Sequence, residues 1–417
     1  MRPTESSCYA ARHGRVPMTA KRLTAFIAAL MVGGCATMPA RIPYTLSDLA
    51  AAQVMNAEAI RYSTSGSEQE YRLLGETLDA QRKARGLEPP RTLLALSGGS
   101  DKGALSAGLL NAWTKRGDRP TFDIVTGVST GALVAPFAFL GSDQDNALRE
   151  IYTGIDDRNI YKKQLVSGLF GGASILNSAP LQALIARYVT PAFLHRIAAE
   201  HRNGRRLLVV TTNLDAEHGV IWDMGAIAAS SDPGRILLFR QVLLASASIP
   251  GAFPPVLIES SAGGRTFSEM HVDGGAVGGF FVLPRAMLSG GSRSRSPGTF
   301  YLLYNGRFKP QFAVTKPRTL SILSKALNTV LGQMDRDMAE DIRVFAAERQ
   351  AQFAMCAIED DFTEAPAPLF NRQFMNALYA YGERKGMQAN GCLSPAVPSQ
   401  PAGVSLLRRR ANKPAQF

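Results

Sequence analysis

The sequence predicts an α/β domain with a mostly parallel sheet, and three observations support that prediction. Short apolar runs, typical of strands buried on both faces of a sheet, alternate with longer segments of helical periodicity. Two glycine-rich turns each stand between an apolar run and a helical segment. The composition, with 46% hydrophobic and 19% charged residues, is that of a globular protein and excludes disordered, collagen-like and coiled-coil chains.

Residues 1–35 have the pattern of an export signal. Lys21 and Arg22 precede an apolar run at 23–32, which is too short for a stable transmembrane helix, and Gly33-Gly34-Cys35 follows it. Val-Gly-Gly-Cys resembles the bacterial lipobox, although Gly33 stands where Ala or Ser is commoner. The resemblance implies that Cys35 is lipidated and becomes the first residue of the mature protein. The alternative is a buried N-terminal helix in which this cysteine is incidental.

A lipidated Cys35 would anchor the protein to a membrane without spanning it. No later stretch has the roughly 18 uncharged apolar residues that a transmembrane helix needs. We therefore expect a location in the bacterial cell envelope. Ala36 stands where some bacteria use Asp to signal inner-membrane retention, which favours the outer membrane, facing the periplasm.

The chain after the anchor divides into four parts. Residues 36–91 are predicted to form a tether and two leading helices, residues 92–305 the catalytic domain, residues 306–390 a helical extension packed on it, and residues 391–417 a disordered tail. The leading helices are predicted at 47–60 and 70–85. Strands are predicted at 92–97, 122–126, 207–212, 220–222, 270–272, 299–305 and 352–358. Two further helices, each starting after a glycine-rich turn, are predicted to end at Trp113 and Leu140, and later helices are predicted at 236–245, 320–350 and 372–386.

The sequence Gly127-Val-Ser129-Thr-Gly131 lies between the second predicted strand and a helix. This strand–turn–helix setting places a serine hydroxyl on a tight elbow, where the glycines allow close approach of neighbouring backbone. The helix that follows would add its N-terminal partial positive charge. Ser129 is therefore the candidate nucleophile. The alternative is a structural turn in which Ser129 only caps the helix.

A second glycine loop, Gly98-Gly99-Ser100-Asp101-Lys102-Gly103, follows the first predicted strand. Such a loop presents several backbone N–H groups to an anion, as a phosphate cradle or as an oxyanion hole. Its spacing matches neither the P-loop nor the dinucleotide-binding pattern. With a serine elbow about 30 residues later, the oxyanion hole is favoured, formed by Gly98, Gly99, Ser100, Lys102 and Gly103.

A nucleophilic serine needs a base, and two kinds of candidate are present. Asp273 ends a predicted strand immediately before Gly274-Gly275, so its carboxylate is free to face across the top of the sheet. His271, two residues earlier, is the best histidine candidate, with His218 a further one. His195 and His201 lie in a polar helical stretch and are interpreted as surface residues. A Ser–Asp pair and a Ser–His–Asp triad thus both stay open.

Taken together, these motifs resemble the patatin-like phospholipase family. The resemblance covers residues 91–304 and includes the segment 245–256, Ala-Ser-Ala-Ser-Ile-Pro-Gly-Ala-Phe-Pro-Pro-Val. It implies a central sheet flanked by helices, a Ser129–Asp273 dyad without histidine, an oxyanion hole from the Gly98–Gly103 loop, and calcium-independent hydrolysis of acyl esters. We expect membrane lipids as substrate and neither metal nor cofactor. A catalytically weak lipid-binding envelope protein of the same fold is the alternative from another class.

Two residues depart from the family pattern. The third glycine of the loop is replaced by Ser100, which keeps its backbone N–H and preserves the hole if its φ is negative. Lys102 stands where Arg is common, and an ammonium group offsets oxyanion charge without the bidentate geometry of Arg. A Ser–Asp dyad also requires an aspartate with a raised pKa, because an ordinary Asp is a weak base, and burial beside apolar residues such as Val272 and Phe280 would have to raise it.

Charge and cysteine content exclude further classes. The chain has 46 Lys and Arg against 34 Asp and Glu, a net charge of +12, which would suit nucleic acid or anionic headgroups. No nucleic-acid-binding signature accompanies this charge, so we expect no nucleic-acid partner. Four cysteines without a C-x-x-C pair exclude a disulfide scaffold and a zinc ribbon. Lipid headgroup, chain length and oligomeric state are left open.

Overall fold

The computed structural model describes residues 41–55, 60–88, 92–163, 174–282, 298–365 and 368–398. The predicted signal with Cys35 and residues 399–417 of the predicted tail lie outside these residues. Strands are β1 Arg61–Ser63, β2 Thr92–Leu96, β3 Ile124–Val128, β4 Lys162–Lys163, β5 Leu176–Asn177, β6 Arg206–Asn213, β7 His218–Asp223, β8 Val256–Ala262, β9 Arg265–Asp273, β10 Thr299–Leu303 and β11 Gln352–Cys356.

Helices are α1 Leu46–Ala50, α2 Glu68–Lys83, α3 Gly103–Arg116, α4 Thr130–Leu140, α5 Asp145–Gly154, α6 Asp157–Ile160, α7 Ala179–Tyr188, α8 Pro191–Arg202, α9 Met224–Ala229, α10 Arg235–Ser246, α11 Thr319–Arg349 and α12 Arg372–Gly386. No helix in the described part of the chain is both long and apolar enough to cross a membrane.

The central sheet has the strand order β1-β7-β6-β3-β2-β10-β11. The five strands from β6 to β11 are parallel, while β7 and β1 are added antiparallel at one side. The parallel strands are apolar on both faces, which is why their sequences read as continuous hydrophobic runs. The predicted fold class, a mostly parallel sheet flanked by helices, is confirmed.

Alternate residues of each strand pack into two separate cores. Leu94 and Val125 face one layer, which includes α3, α4 and α10. Leu93 and Ile124 face the opposite layer, where residues of α2 and α11 cover the sheet. This alternation is the period-two pattern of a strand, and it places one helical layer on each face of the sheet.

The site is positioned by two strands that lie end to end along one edge of β6. β3 runs parallel to β6 and ends with Val128 opposite Val210. β9 runs antiparallel to β6 and ends with Asp273 opposite Thr211. Because β7 occupies the other edge of β6, the carboxyl ends of β3 and β9 meet at adjacent β6 residues. The residues that end the two strands are thereby brought together.

The N-terminal and C-terminal parts differ from the predicted division. The predicted helix 47–60 ends at Ala50 as α1, and Gln53 pairs with Ser261 instead, because pairing with β8 replaces local helix formation. Residues 36–91 also supply β1, an edge strand of the sheet. The boundary at 305 does not divide the sheet, since β11 pairs in parallel with β10.

The predicted disordered tail starts too early. Cys392 forms a disulfide with Cys356 at the end of β11, and Ala396 pairs with Phe353. Residues 391–398 are therefore held against the edge of the sheet. The sequence analysis did not predict this disulfide.

Candidate active site

Ser129 lies on a sharp turn between β3 and α4. Its backbone has φ 55° and ψ −124°, outside the regions that non-glycine residues normally occupy. The glycines on either side are required by close packing: a Cβ on Gly131 would lie 2.2 Å from the carbonyl oxygen of Leu96, and one on Gly127 would lie 2.6 Å from that of Gly131. Strain of this kind persists where surrounding structure enforces it, which is common at functional sites.

The hydroxyl of Ser129 donates a hydrogen bond to Asp273, with 2.6 Å between Oγ and Oδ2. Both residues are buried, Ser129 with 7% and Asp273 with 4% of its surface exposed. Oδ1 of Asp273 accepts the N–H of Gly275 at 2.7 Å, which orients the carboxylate. Gly274 fits against β6, where a Cβ would lie 2.4 Å from the carbonyl oxygen of Val210. Ser129 makes no side-chain cap to α4, so the alternative of a simple helix cap is wrong.

Burial determines the basicity of Asp273. It raises the pKa of this carboxyl from 3.8 to about 7, while the hydrogen bonds from Ser129 and Gly275 act in the opposite direction. A carboxylate with that pKa is a far better proton acceptor near neutral pH than an ordinary aspartate. The geometry thus brings together a hydroxyl and a carboxylate of raised pKa.

A short segment at the end of α10 holds both residues in place. The N–H of Ser129 donates to the hydroxyl of Ser246 at 3.0 Å, and that hydroxyl donates to the carbonyl of Val210 at 2.7 Å. The carbonyl of Ser248 accepts the N–H of Asp273 at 2.9 Å. No role was predicted for this segment from the sequence, although its Ser-Ala-Ser run directly before Ile249-Pro250 was a usable signal.

The glycine loop lies beside Ser129, but not all of its N–H groups are free. The N–H of Gly98 donates to the carbonyl of Gly279 at 2.7 Å, and the N–H of Gly103 donates to the carbonyls of Ser100 and Asp101. The N–H of Lys102 donates to the carbonyl of Gly99 at 3.1 Å. The prediction that the N–H groups of Gly98, Lys102 and Gly103 supply oxyanion-hole donors is therefore wrong. Among the described residues, none accepts a hydrogen bond from the N–H of Gly99 or Ser100. These two groups are the available donors.

The conformation of Ser100 differs from the expected one. Its φ is +56°, in the left-handed region that favours glycine, so the condition of a negative φ is not met. The N–H is nevertheless unpaired, and Ser100 replaces the family glycine at some cost in backbone strain. Lys102 is partly exposed and forms no ion pair with the residues that the structure describes. Burial raises the pKa of neighbouring Asp101, and the charge of Lys102 acts in the opposite direction.

Asn305, which follows β10, holds the start of the glycine loop in place through hydrogen bonds. Its N–H and side-chain amide donate to the hydroxyl and carbonyl of Ser97 at 2.7 and 2.8 Å, and its side-chain oxygen accepts the hydroxyl of Ser106 at 2.6 Å. Gly99, with φ +149°, crosses directly over Asn305, whose carbonyl oxygen would lie 2.1 Å from a Cβ there. Sequence analysis missed Asn305, whose only signal was a polar residue at the end of a buried strand.

A model of the patatin-like phospholipase family matches residues 94–284. These residues form a patatin-like phospholipase domain. A domain of this family indicates a lipid acyl hydrolase. No curated protein matches the chain. The crystal structure of VipD from Legionella pneumophila is similar to this chain with a TM-score of 0.35 and 13% sequence identity. The similarity covers 72% of this chain and 67% of the VipD chain. A likeness at this level adds nothing to the assignment.

The two candidate histidines, His271 and His218, have other partners. His271 is fully buried, with Nδ1 2.9 Å from the Thr211 hydroxyl and Nε2 3.4 Å from a carboxylate oxygen of Glu269. Burial also lowers the pKa of its ring. Nδ1 of His218 lies 3.1 Å from the carbonyl oxygen of Ala216. Neither histidine is hydrogen-bonded to Ser129 or Asp273, and this geometry argues against a triad.

An apolar cavity opens next to the elbow. Thr130, the residue after the candidate nucleophile, is part of its wall, and α4, α5 and α7 supply most of the rest. The lining includes Leu133, Phe137, Ile155, Leu184, Tyr188 and Phe370. Phe370 is tied to the glycine loop, since its N–H donates to Asp101 at 3.1 Å. Its apolar walls are those typical of a small-molecule site.

Proposed function

We propose that this protein is a serine hydrolase that cleaves acyl esters of lipids at a membrane surface, with Ser129 as nucleophile and Asp273 as base. One observation supports it above the others: a strained elbow serine lies 2.6 Å from a buried aspartate with pKa raised to about 7. Nucleophilic catalysis requires a hydroxyl and a base within hydrogen-bond distance. The patatin-like domain supplies the lipid ester as the class of substrate.

The mechanism follows from these contacts. Ser129 Oγ attacks the ester carbonyl carbon as Asp273 takes its proton, and the N–H groups of Gly99 and Ser100 stabilise the oxyanion. The intermediate collapses with cleavage of the C–O bond, and the leaving alcohol oxygen takes the proton from Asp273. Water then attacks the acyl-enzyme and gives its proton to Asp273. Release of the fatty acid returns that proton to Ser129.

The apolar cavity would hold the acyl chain. It begins at Thr130 and has no charged residue in its lining, so it suits a hydrocarbon chain better than a headgroup. Replacing Leu184 by Trp fills part of it and should lower kcat/KM for long-chain p-nitrophenyl esters much more than for the acetate ester. Leu237→Trp, at an exposed position of α10, is the matched control and should change neither.

For the site of action we propose the bacterial cell envelope, with lipidated Cys35 anchoring the chain, most simply to the outer membrane facing the periplasm. The disulfide between Cys356 and Cys392 supports export, because such bonds persist in oxidising compartments. Metabolic labelling with a palmitate analogue tests the anchor. Label should appear on the wild-type protein and not on Cys35→Ser, and label that persists on the variant would refute the lipobox.

The activity itself is tested with vesicles of phosphatidylethanolamine and phosphatidylglycerol and with p-nitrophenyl esters. The wild-type protein should release fatty acid without added calcium, whereas Ser129→Ala should lose on the order of 10⁴-fold or more in kcat while folding normally. Equal release by the wild type and Ser129→Ala would reject the proposal. No release by a folded wild type on any substrate would favour the weak lipid-binding alternative.

A further inference from the structure

Residues 307–334, which we name the arm, expose an unusual amount of apolar surface. The arm comprises the stretch after β10 and the N-terminal half of α11. Phe312 is 97% and Val314 is 86% exposed, and four of the large apolar residues that follow are each more than half exposed. Those four residues are Ile322, Leu323, Leu327 and Val330. A continuous exposed apolar strip of this kind marks an interaction surface.

The helical part of the arm is amphipathic. Apolar residues recur at 322, 323, 326, 327, 330, 331 and 334, whereas 321, 324, 325, 328, 329 and 333 are polar. At 3.6 residues per turn these two sets fall on opposite sides of the helix. In an ordinary surface helix the apolar side is buried against the core, but here residues 322–330 are exposed on both sides of the helix. The C-terminal half of α11, by contrast, packs Ala339, Ile342 and Phe345 into the core.

The charge of the arm is of one sign. It contains five basic residues, Arg307, Lys309, Lys316, Arg318 and Lys325, and no Asp or Glu. Lys309 is paired with Asp360. The side chains of Lys316, Arg318 and Lys325 are exposed and form no ion pair within the described ranges. Apolar residues flanked by unpaired cations are the pattern of a helix that lies in the interface of an anionic membrane.

The arm is also connected to the candidate active site. Asp335, the first residue after it, accepts the N–H of Gly279 at 2.8 Å and the hydroxyl of Tyr304 at 2.9 Å. The carbonyl of Gly279 in turn accepts the N–H of Gly98. Two hydrogen bonds therefore link the base of the arm to the glycine loop. A membrane that holds the arm also holds this loop near the lipid surface.

We propose that the arm docks on the surface of an anionic phospholipid bilayer, with its apolar side among the acyl chains and its cations at the headgroups. The proposal rests on the proposed function only in taking lipid as the substrate that docking brings within reach. A second copy of the chain is a poorer occupant, because two arms face to face would bring the same unpaired cations together.

The test is co-sedimentation of the full chain with vesicles made of equal parts of phosphatidylglycerol and phosphatidylcholine. The chain carries Cys35→Ser, which removes the predicted acyl anchor, and Ser129→Ala, which prevents turnover. Leu323→Asn with Leu327→Asn should weaken vesicle binding at least roughly tenfold, as should Lys316→Glu with Lys325→Glu. The matched controls are Leu46→Asn with Leu237→Asn and Arg85→Glu with Arg202→Glu, which change exposed residues elsewhere. Circular dichroism checks the fold of each variant.

Arm variants that bind weakly while the controls bind like the parent support the proposal, as does weaker binding to vesicles of phosphatidylcholine alone. Equal binding by arm and control variants overturns it. So does a parent that is dimeric by light scattering, becomes monomeric in the arm variants and does not bind vesicles, because the arm would then be a protein interface. Since binding is measured without turnover, failure of the hydrolase proposal would leave this result unaffected.

Discussion

The hydroxyl of Ser246 accepts a hydrogen bond from the backbone N–H of Ser129 at 3.0 Å and donates one to the backbone carbonyl of Val210 at 2.7 Å. A single buried side chain thus fastens the strained elbow to β6, the strand along which β3 and β9 meet. The hydrogen bonds of the Ser246 hydroxyl go to Ser129 and Val210 and not to Asp273. It is a positioning residue for the candidate nucleophile.

Ser246→Ala should lower kcat for a soluble ester by roughly 10- to 100-fold, because it leaves the N–H of Ser129 buried without an acceptor and loosens the elbow. KM and the pH midpoint of activity should stay close to those of the wild type. Ser248→Ala is the matched control: its hydroxyl bonds only to the carbonyl of Leu244 at 2.8 Å. Equal losses in the two variants would show that any hydroxyl deletion in this segment is damaging, and would refute the specific role.

The pH dependence of activity should follow Asp273. A base must be ionised to accept a proton, and burial sets the pKa of this carboxyl at about 7. We therefore expect kcat/KM for a neutral ester to fall tenfold per pH unit below about pH 7 and to level off above it. His271→Asn should keep this midpoint even if it is less stable. A midpoint that disappears in His271→Asn, with the fold intact, would restore the triad.

The same carboxyl should destabilise the fold at neutral pH. Its pKa is higher in the folded chain than the ordinary 3.8, so the folded state retains a proton that the unfolded state releases. Stability from this group is fully present below about pH 4 and is lost as the pH rises to about 7, on the order of 4 kcal/mol in all. Asp273→Asn should therefore be inactive but more stable than the wild type to urea at pH 8. Lower stability of this variant at pH 8 would contradict a raised pKa.

The account of the oxyanion hole predicts opposite results at two neighbouring residues. Ser100→Gly keeps the N–H and relieves a positive φ, so activity should stay within about tenfold and stability within about 1 kcal/mol of the wild type. Gly99→Pro removes one donor and cannot adopt φ +149°, so kcat should fall by roughly 10²–10³-fold or more. If Ser100→Gly falls as far, the Ser100 hydroxyl is itself a donor. A soluble-ester assay with circular dichroism measures both.

Local patterns were enough to predict the fold class and most of the parallel strands. Apolar runs such as 92–96 are buried on both faces, and that burial is visible in the sequence as an uninterrupted hydrophobic stretch. The helix at Arg372–Gly386 was predicted with the observed bounds, since its periodicity and termini are local properties. Strand β8 was missed although its sequence alternates, because its pairing with β9 decides its conformation.

The parts that could not be predicted depend on contacts between distant residues. The meeting of β3 and β9 on β6 is a matter of sheet topology, and no local signal shows it. The hydrogen bond from the N–H of Gly98 to the carbonyl of Gly279 removes a predicted oxyanion donor, and these two residues are 181 positions apart in the sequence (279 minus 98). The Cys356–Cys392 disulfide likewise depends on β11 adding to the sheet. The motifs identified Ser129 and Asp273 as candidate nucleophile and base, but they did not show how the two side chains are arranged relative to each other.

The central claim is that Ser129 is a nucleophile activated by Asp273, and labelling with a fluorophosphonate followed by peptide mapping tests it most directly. The wild-type protein should be labelled on Ser129 at a rate that rises with pH through about 7, Ser129→Ala should not be labelled, and Asp273→Asn should react at least 100-fold more slowly. Label on another residue, or undiminished labelling of Ser129 in folded Asp273→Asn, would contradict the claim.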